Sequence, residues 1–435
     1  MGKRTLASPA FSLNIMPTLQ PSVLVPPDYD TLLPPSQGGS FVDPAFGTSI
    51  QRISDAAHAR NADGGGFLTW IMVEYSTMSP FNQDDSLALL VHQSYFALYD
   101  SAGRYIRDLP LEVNASSEPR WSRANNHEFY YVHGNQLKVF DATTGQARVV
   151  RTFGEYSSIY GMGESDISMD GDHLVFAGDR RYIFVYTIST DSCSPALDAA
   201  GRGFDSLYLT PYNQVLVSWG LDLATKLAPI DLYDPSMAFV RQIFRVNGHK
   251  DVALDTDGSE IVVITNSAEP APNVGKNAVI KVRLSDAKQT CLQELDWSLA
   301  VHISTADHTN FCFVSTYAPG NPEPPAGWYP FTNEILQVFY DGTPTVRLAH
   351  HRSRPHGENQ YDYEAWASAN RSGNLLLFSS DFDLQAQDKT VADEYSDVYL
   401  IQPVRHVPIP GPQPPRPPHP APEPHPRPGP VRRTL

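Results

Sequence analysis

The sequence has few of the features that anchor membranes, disulfide frameworks or helices. No run of about 18 or more apolar residues occurs among its 435 residues, so no membrane partner is expected. It has three cysteines and no C-x-x-C pair, which argues against a zinc ribbon or a dithiol site. No apolar pattern keeps a helical period over a useful length. These absences favour a fold built from strands.

The charge balance excludes a further class of partner. Only 18% of the residues are charged, and the formal net charge is −16 at pH 7. An acidic protein repels the phosphate backbone, so nucleic acid is not expected to bind. A basic start, Met1–Arg4, is not followed by a sustained apolar stretch, so it does not resemble a signal peptide. We therefore expect a cytoplasmic protein if the sequence is full length.

What the sequence does contain is a repeat. An Asp, Asn or Gly turn followed by an apolar strand recurs about every 45 to 55 residues, the spacing of a propeller blade. Asp-Gly and Asn-rich pairs supply the positive φ that hairpin turns need. The seven occurrences begin at Asn82, Asn125, Asp170, Pro211, Asp257, Asp307 and Ser372.

Further strands follow each turn, and together they predict the fold. A third strand is visible in most repeats, as in Tyr95–Asp100 and Gln136–Asp141. Short strands repeated seven times without helices predict an all-β, seven-bladed β-propeller. The seventh repeat lacks a clear fourth strand, and a strand at 48–53 precedes the first repeat. Pairing of 48–53 with 397–402 would close the ring and leave no sheet edge open.

The two ends of the chain differ in composition from the middle. Residues 1–40 are rich in Pro, Ser and Gly and predict an extended lead-in, followed by the propeller at 41–404. Residues 405–435 have Pro at nearly every second or third position, which predicts a disordered, polyproline-like tail. The alternative for the tail is a docking segment for another protein through its PxxP-like pieces.

Histidines converge on the predicted channel. The innermost strands of a propeller line a central channel, which is the default ligand site. His249, His302 and the pair His350 and His351 lie on or beside three consecutive innermost strands. Imidazoles with carboxylates suit a transition metal or general base chemistry. The alternative is that each histidine hydrogen-bonds a neighbouring blade and holds the ring together.

The stretch that enters blade seven adds the remaining candidates. Guanidinium groups of Arg352 and Arg354 suit a substrate carboxylate, although a solvated loop is the alternative. Tyr361 and Tyr363 suit acid catalysis or sugar stacking, although packing on the closing blade is the alternative. We assign the candidates as catalytic (His249, Arg352, Tyr363), substrate-binding (Arg354, Tyr361, Glu364) and metal-binding (His302, His350, His351). No phosphate loop, G-x-S-x-G or H-E-x-x-H motif occurs.

Several segments resemble a known family. His302–Ser304, Ser315–Tyr317, Trp328–Glu334 and Leu348–Ser353 resemble bacterial propellers related to the oligogalacturonate lyases. The repeat pattern is similar over most of the propeller, and the motifs are similar over roughly the last three blades. The resemblance implies seven blades and a channel metal held by histidines and a glutamine, with a histidine base and an arginine nearby. It matches His302 to a metal ligand and His249 to the base.

The sequence departs from that family in blade seven. The family's Gln-x-x-His-x-His pattern is matched best by 363–368, where Tyr363, Trp366 and Ser368 stand at the ligand positions. We therefore predict weak or absent binding of manganese or another divalent metal, with His350 or His351 as candidates to compensate.

Two functions remain open. The first is a carbohydrate-active propeller that binds an acidic (uronate) oligosaccharide and cleaves it as a lyase by β-elimination. The second is a non-catalytic scaffold that binds a protein partner through one ring face or the tail.

Overall fold

A computed structural model describes residues 22–161, 163–266, 277–319, 324, 326–354, 364–388 and 390–402. Within them the strands form seven separate antiparallel sheets, each of four or five strands. The helices there are a short 3₁₀ helix at Ala56–His58 and the single turn α1 at Leu384–Gln387, and no described helix is long and apolar enough to cross a membrane. The predicted all-β, seven-bladed propeller is confirmed.

Each sheet is one blade, and the chain builds the blades in order. The first two strands, β1 (Ser40–Val42) and β2 (Ser49–Arg52), belong to the last blade. Blades one to three contain β3 (Ile71–Met72), β4 (Leu87–His92), β5 (Tyr95–Asp100) and β6 (Tyr105–Asp108); β7 (Arg120–Trp121), β8 (Glu128–His133), β9 (Gln136–Asp141) and β10 (Gln146–Thr152); and β11 (Ile159–Tyr160), β12 (His173–Gly178), β13 (Tyr182–Thr187), β14 (Ser192–Cys193) and β15 (Leu197–Asp198).

The remaining blades follow the same plan. Blades four to six contain β16 (Phe204–Leu209), β17 (Val215–Trp219), β18 (Ile230–Tyr233) and β19 (Phe239–Phe244); β20 (Lys250–Leu254), β21 (Glu260–Thr265), β22 (Asn277–Arg283) and β23 (Gln289–Leu295); and β24 (Ala300–Ser304), β25 (Phe311–Tyr317), β26 (Glu334–Phe339) and β27 (Val346–His350). Blade seven contains β28 (Ser368–Ala369), β29 (Leu376–Ser380), β30 (Asp397–Ile401), β2 and β1.

Burial along each blade shows which strand faces the axis. First strands of neighbouring blades contact one another, as β16 contacts β20 and β20 contacts β24. Second strands such as β21 are buried throughout, because blades pack on both of their faces. Fourth strands such as β10 and β19 are largely exposed. The innermost strands are therefore β3, β7, β11, β16, β20, β24 and β28, and polar groups on them face the channel or a neighbouring blade.

The ring closes through the strand that the sequence predicted. Ile50, Gln51 and Arg52 of β2 pair with Ile401, Leu400 and Tyr399 of β30, and β1 extends the sheet beyond β2. The buried carboxylate of Asp397 stabilises the pairing of β2 with β30. It accepts hydrogen bonds from Arg52 Nε (3.1 Å) and Nη2 (2.7 Å), Ser54 Oγ (2.6 Å) and the Ala56 amide (2.9 Å).

Candidate functional site

One end of the channel brings together side chains from distant blades. Each blade has antiparallel strands in the same order, so all the innermost strands run in the same direction along the channel. Tyr75 follows β3 of blade one, and His249 precedes β20 of blade five. Their Oη and Nδ1 atoms are 3.1 Å apart. Since blades one and five are not neighbours, this contact crosses the channel.

His249 lies at the centre of a compact group. Its ring centroid is 4.3 Å from that of His302 on β24, with the planes inclined by 60°. The Nε2 atom of His302 is hydrogen-bonded to the carboxylate of Glu364, which leads into blade seven. Aromatic rings surround His302 at 5.4 to 6.1 Å between centroids. We call this group the His–Glu cluster, and it consists of Tyr75, His249, His302, Tyr317, Glu364 and Trp366.

Burial determines which side chains of the His–Glu cluster are charged. It lowers the pKa of His302 to about 3, and burial with the nearby His302 lowers the pKa of His249 to about 3 as well. Both imidazoles are therefore neutral at pH 7. Burial also raises the pKa of Glu364 to about 7, opposed by hydrogen bonds from Tyr317 and Trp366. His302 and Glu364 are almost fully buried, whereas His249 is half-buried.

Two cations stand beside the cluster, each with its own partners. Arg120 on β7 donates to both carboxylate oxygens of Glu74, at 2.9 and 3.0 Å. Burial raises the pKa of Glu74 to about 7 although Arg120 opposes the shift. The ammonium of Lys250 on β20 donates to Ser206 Oγ (3.0 Å) and Asn247 Oδ1 (2.8 Å). Glu74 precedes Tyr75 in the chain and Lys250 follows His249, so each cation or its partner is next in sequence to a member of the His–Glu cluster.

The other histidines predicted for the channel lie elsewhere. His350 ends β27, the outermost strand of blade six, where its backbone amide donates to Asp43 (2.8 Å) and its ring contacts Asp43 and the Leu24 carbonyl. His351 Nε2 is 2.8 Å from the Thr316 carbonyl, and burial lowers the pKa of His351 to about 4. Neither histidine reaches His302, because the segment toward blade seven starts at the rim of the ring.

Both predicted arginines, Arg352 and Arg354, form ion pairs with the lead-in. Arg352 Nη2 donates to Asp28 Oδ1 at 2.8 Å. Arg354 pairs with Asp30 and Asp383, both at 3.0 Å, and stacks 3.7 Å over the ring of Tyr29. The structure therefore places both guanidinium groups away from the His–Glu cluster.

Of the substrate-binding candidates, Glu364 joins the His–Glu cluster. Tyr361 and Tyr363 lie outside the described residues. Tyr75 was missed by sequence reasoning, because residues 73–80 interrupt the repeat pattern of blade one and carry no signal of a channel position.

The residues that the structure describes do not fit the metal site that the family resemblance implies. Among the described residues, no group of three or more His, Cys, Asp and Glu side chains is arranged to hold a metal ion. Trp366 contributes a ring to the cluster, and Ser368 Oγ donates to the carbonyl of Met78. His302 Nε2 is already engaged by Glu364.

Known proteins match this chain in structure but not in sequence. No protein-family model matches the chain, and no curated protein sequence does. An oligogalacturonate lyase from Vibrio parahaemolyticus superimposes with a TM-score of 0.58, covering 84% of this chain and 96% of that one at 13% identity. This chain is a propeller that resembles the oligogalacturonate lyases.

A second solved structure gives the same result. An oligogalacturonate lyase in complex with manganese superimposes with a TM-score of 0.56 at 12% identity, covering 84% of this chain and 95% of that one. The resemblance inferred from the last three blades is confirmed as a likeness of fold. At this identity the likeness shows the fold alone, so the chemistry depends on the residues of this chain.

Proposed function

We propose that this propeller is a carbohydrate-active protein that binds an acidic (uronate) oligosaccharide at the His–Glu cluster. The observation that carries the proposal is the half-buried, neutral His249 beside the buried pair of His302 and Glu364. Tyr75 and Tyr317 are half-buried, lie beside His302 and offer aromatic rings to the apolar side of a sugar ring. A few convergent polar groups among aromatic walls are typical of small-molecule sites.

A uronate brings negative charge into a channel that already holds carboxyl groups. Burial raises the pKa of both Glu74 and Glu364 to about 7, so these groups can take up protons when an anion enters. Arg120 and Lys250 then supply the positive charge. We therefore expect affinity for an oligouronate to rise as the pH falls from about 8 to about 6, with proton uptake on binding.

The same geometry supports β-elimination. When Nδ1–H of His249 donates to Tyr75 Oη, Nε2 holds the free electron pair. The carboxylate of a bound uronate opposes the effect of burial on the pKa of His249, so that Nε2 can remove the proton next to that carboxylate. The electron pair of that C–H bond forms a C=C bond as the neighbouring C–O bond breaks. The departing oxygen takes a proton from a protonated carboxyl group, for which Glu364 is the candidate. Arg120 and Lys250 are buried and bound to protein partners, so their positive charges act on the developing negative charge through their field and not by direct contact.

Incubation with oligogalacturonate and other uronate oligosaccharides tests the proposal. The absorbance of the new C=C bond reports elimination, and calorimetry reports binding. His249→Gln should abolish the absorbance change, whereas the exposed control His133→Gln should leave it intact. Binding without elimination would support the sugar site and reject the lyase activity. Absence of both would reject the proposal and favour the alternative, a protein-binding scaffold.

A further inference from the structure

A second cleft lies between blades two and three. Its volume is about 220 Å³, below the usual range of about 300–1,000 Å³ for drug-sized ligands, so it suits a small molecule. Its walls come from the connections into β7 and β11 and from the turn after β8. The hydroxyl and amide side chains that line it are Asn114, Ser116, Ser117, Ser158 and Tyr160. No residue of the His–Glu cluster lines it.

The carboxamide of Asn114 presents hydrogen-bond donors to a ligand. Its Oδ1 accepts from the backbone amide (3.0 Å) and the hydroxyl (2.9 Å) of Ser116. A backbone amide can only donate, so the atom that it contacts is the oxygen, and the other atom is Nδ2. Nδ2 makes no hydrogen bond to a described residue. Asn114 is half-buried and Ser116 is exposed, so a ligand can reach both side chains.

Tyr160 and Arg180 add a second donor and a positive charge. Hydrogen bonding to Ser158, together with Arg180, lowers the pKa of Tyr160. Because these groups donate to the phenol oxygen, the proton of Tyr160 stays available for a ligand. The Cζ atom of the exposed Arg180 is 4.5 Å from the centre of the Tyr160 ring, and Arg180 forms no ion pair with a described residue. The guanidinium charge therefore lies within one aromatic ring of the cleft.

The walls of the cleft carry no negative charge. None of the described residues that line it is an Asp or a Glu, and the exposed His133 at its edge adds no carboxylate. The carboxylates behind the walls have partners of their own. Asp179 accepts from two backbone amides, at 2.9 and 3.2 Å, and Glu118 accepts from one, at 2.6 Å. Glu112 is paired with Lys138 at 2.7 Å.

The backbone at Arg180 indicates that its side chain is needed. Asp179 and Arg180 are the central residues of the turn between β12 and β13, with φ of 50° and 53°. Glycine adopts such angles freely, and Asp-Gly is the ordinary pair for this type of turn. The carboxylate of Asp179 is used within the fold, as described above. The side chain of Arg180 has the ring of Tyr160 as its neighbour, which fits a role at the cleft.

Donors and a guanidinium group without a carboxylate suit a ligand that has several acceptor oxygens and a negative charge. We propose that the cleft between blades two and three is a second binding site that takes a small oxyanion of the phosphate type, as the free ion or as the phosphate group of a sugar phosphate. Its oxygens accept from Asn114 Nδ2 and Tyr160 Oη, and the charge of Arg180 offsets its own. The site is separate from the channel and does not depend on the function proposed there.

Titration of the full chain with inorganic phosphate and with glucose 6-phosphate, followed by ³¹P NMR at low ionic strength, tests the site. We expect at least one of them to bind saturably. Tighter binding of glucose 6-phosphate would support a sugar phosphate as the ligand, and equal or tighter binding of inorganic phosphate would support the free ion. Asn114→Asp keeps the oxygen that the Ser116 amide needs but adds a negative charge, so it should weaken binding about tenfold or more.

A matched pair of variants separates this site from general charge effects. Arg180→Gly should weaken binding about tenfold and leave Tm unchanged or higher, because glycine tolerates the positive φ. The control is Lys226→Gly, which removes an exposed positive charge at φ 60° from the corresponding turn of blade four and should leave binding unchanged. Failure of both ligands to bind, or binding that is indifferent to Asn114→Asp and Arg180→Gly, overturns the proposal. Equal weakening by Lys226→Gly would also overturn it.

Discussion

Replacement of Asp397 by alanine should weaken the closure of the ring. The guanidinium group of Arg52 is buried, and Asp397 is its main counter-charge, at 2.7 Å. Removal of one partner from a buried ion pair costs about 3–5 kcal/mol, because the other charge is left uncompensated. Asp55 remains 3.0 Å from Arg52 and compensates in part, so the lower end, about 3 kcal/mol, is expected.

The expected loss translates into a measurable shift of the melting temperature. An unfolding entropy of about 2 cal/mol/K per residue over residues 22–402 is roughly 0.8 kcal/mol/K, so Tm should fall by about 4 °C. Differential scanning calorimetry measures it, and urea unfolding gives the free energy independently. The control is Asp198→Ala, which breaks an exposed pair with Arg181 (2.6 Å) and should leave Tm nearly unchanged. Equal shifts in the two variants would refute the idea that Asp397 secures the closure.

Three further predictions concern the site and the tail. The folded pKa of Glu364, about 7, exceeds its ordinary 4.5, so its contribution to stability is lost as pH rises through 7. Glu364→Gln should therefore gain stability relative to wild type between pH 5 and pH 8 in urea melts, and a constant difference would contradict the shift. Calorimetric titration with manganese should show no tight stoichiometric binding, and tight binding would restore the metal site. Deletion of residues 405–435 should leave Tm nearly unchanged, whereas a large fall would make them part of the fold.

The architecture could be predicted because its signals are local. Asp-Gly and Asn-rich turns and short apolar strands each depend on neighbouring residues, so seven repeats were visible without any contact between distant residues. The pairing of β2 with β30 could be predicted by counting strands. The seventh repeat lacked a clear fourth strand, and the strand at 48–53 belonged to no repeat. His249 and His302 were also predictable, since both lie at innermost strands of adjacent blades and such strands converge on the axis.

Only the tertiary structure showed which side chains, apart from Glu364, lie beside His249 and His302. Tyr75 reaches His249 from blade one across the channel, through an irregular stretch that the repeat does not describe. His350, Arg352 and Arg354 precede an innermost strand in the chain, yet residues 24–43 fold onto them and supply partners more than 300 residues away in sequence. The position of a buried charged side chain depends on which opposite charge lies nearest to it. In a closed ring, the packing of segments that are distant in sequence determines which opposite charge that is. For this reason the sequence alone predicted the propeller, two of its histidines and Glu364, whereas folding decided the rest of the site.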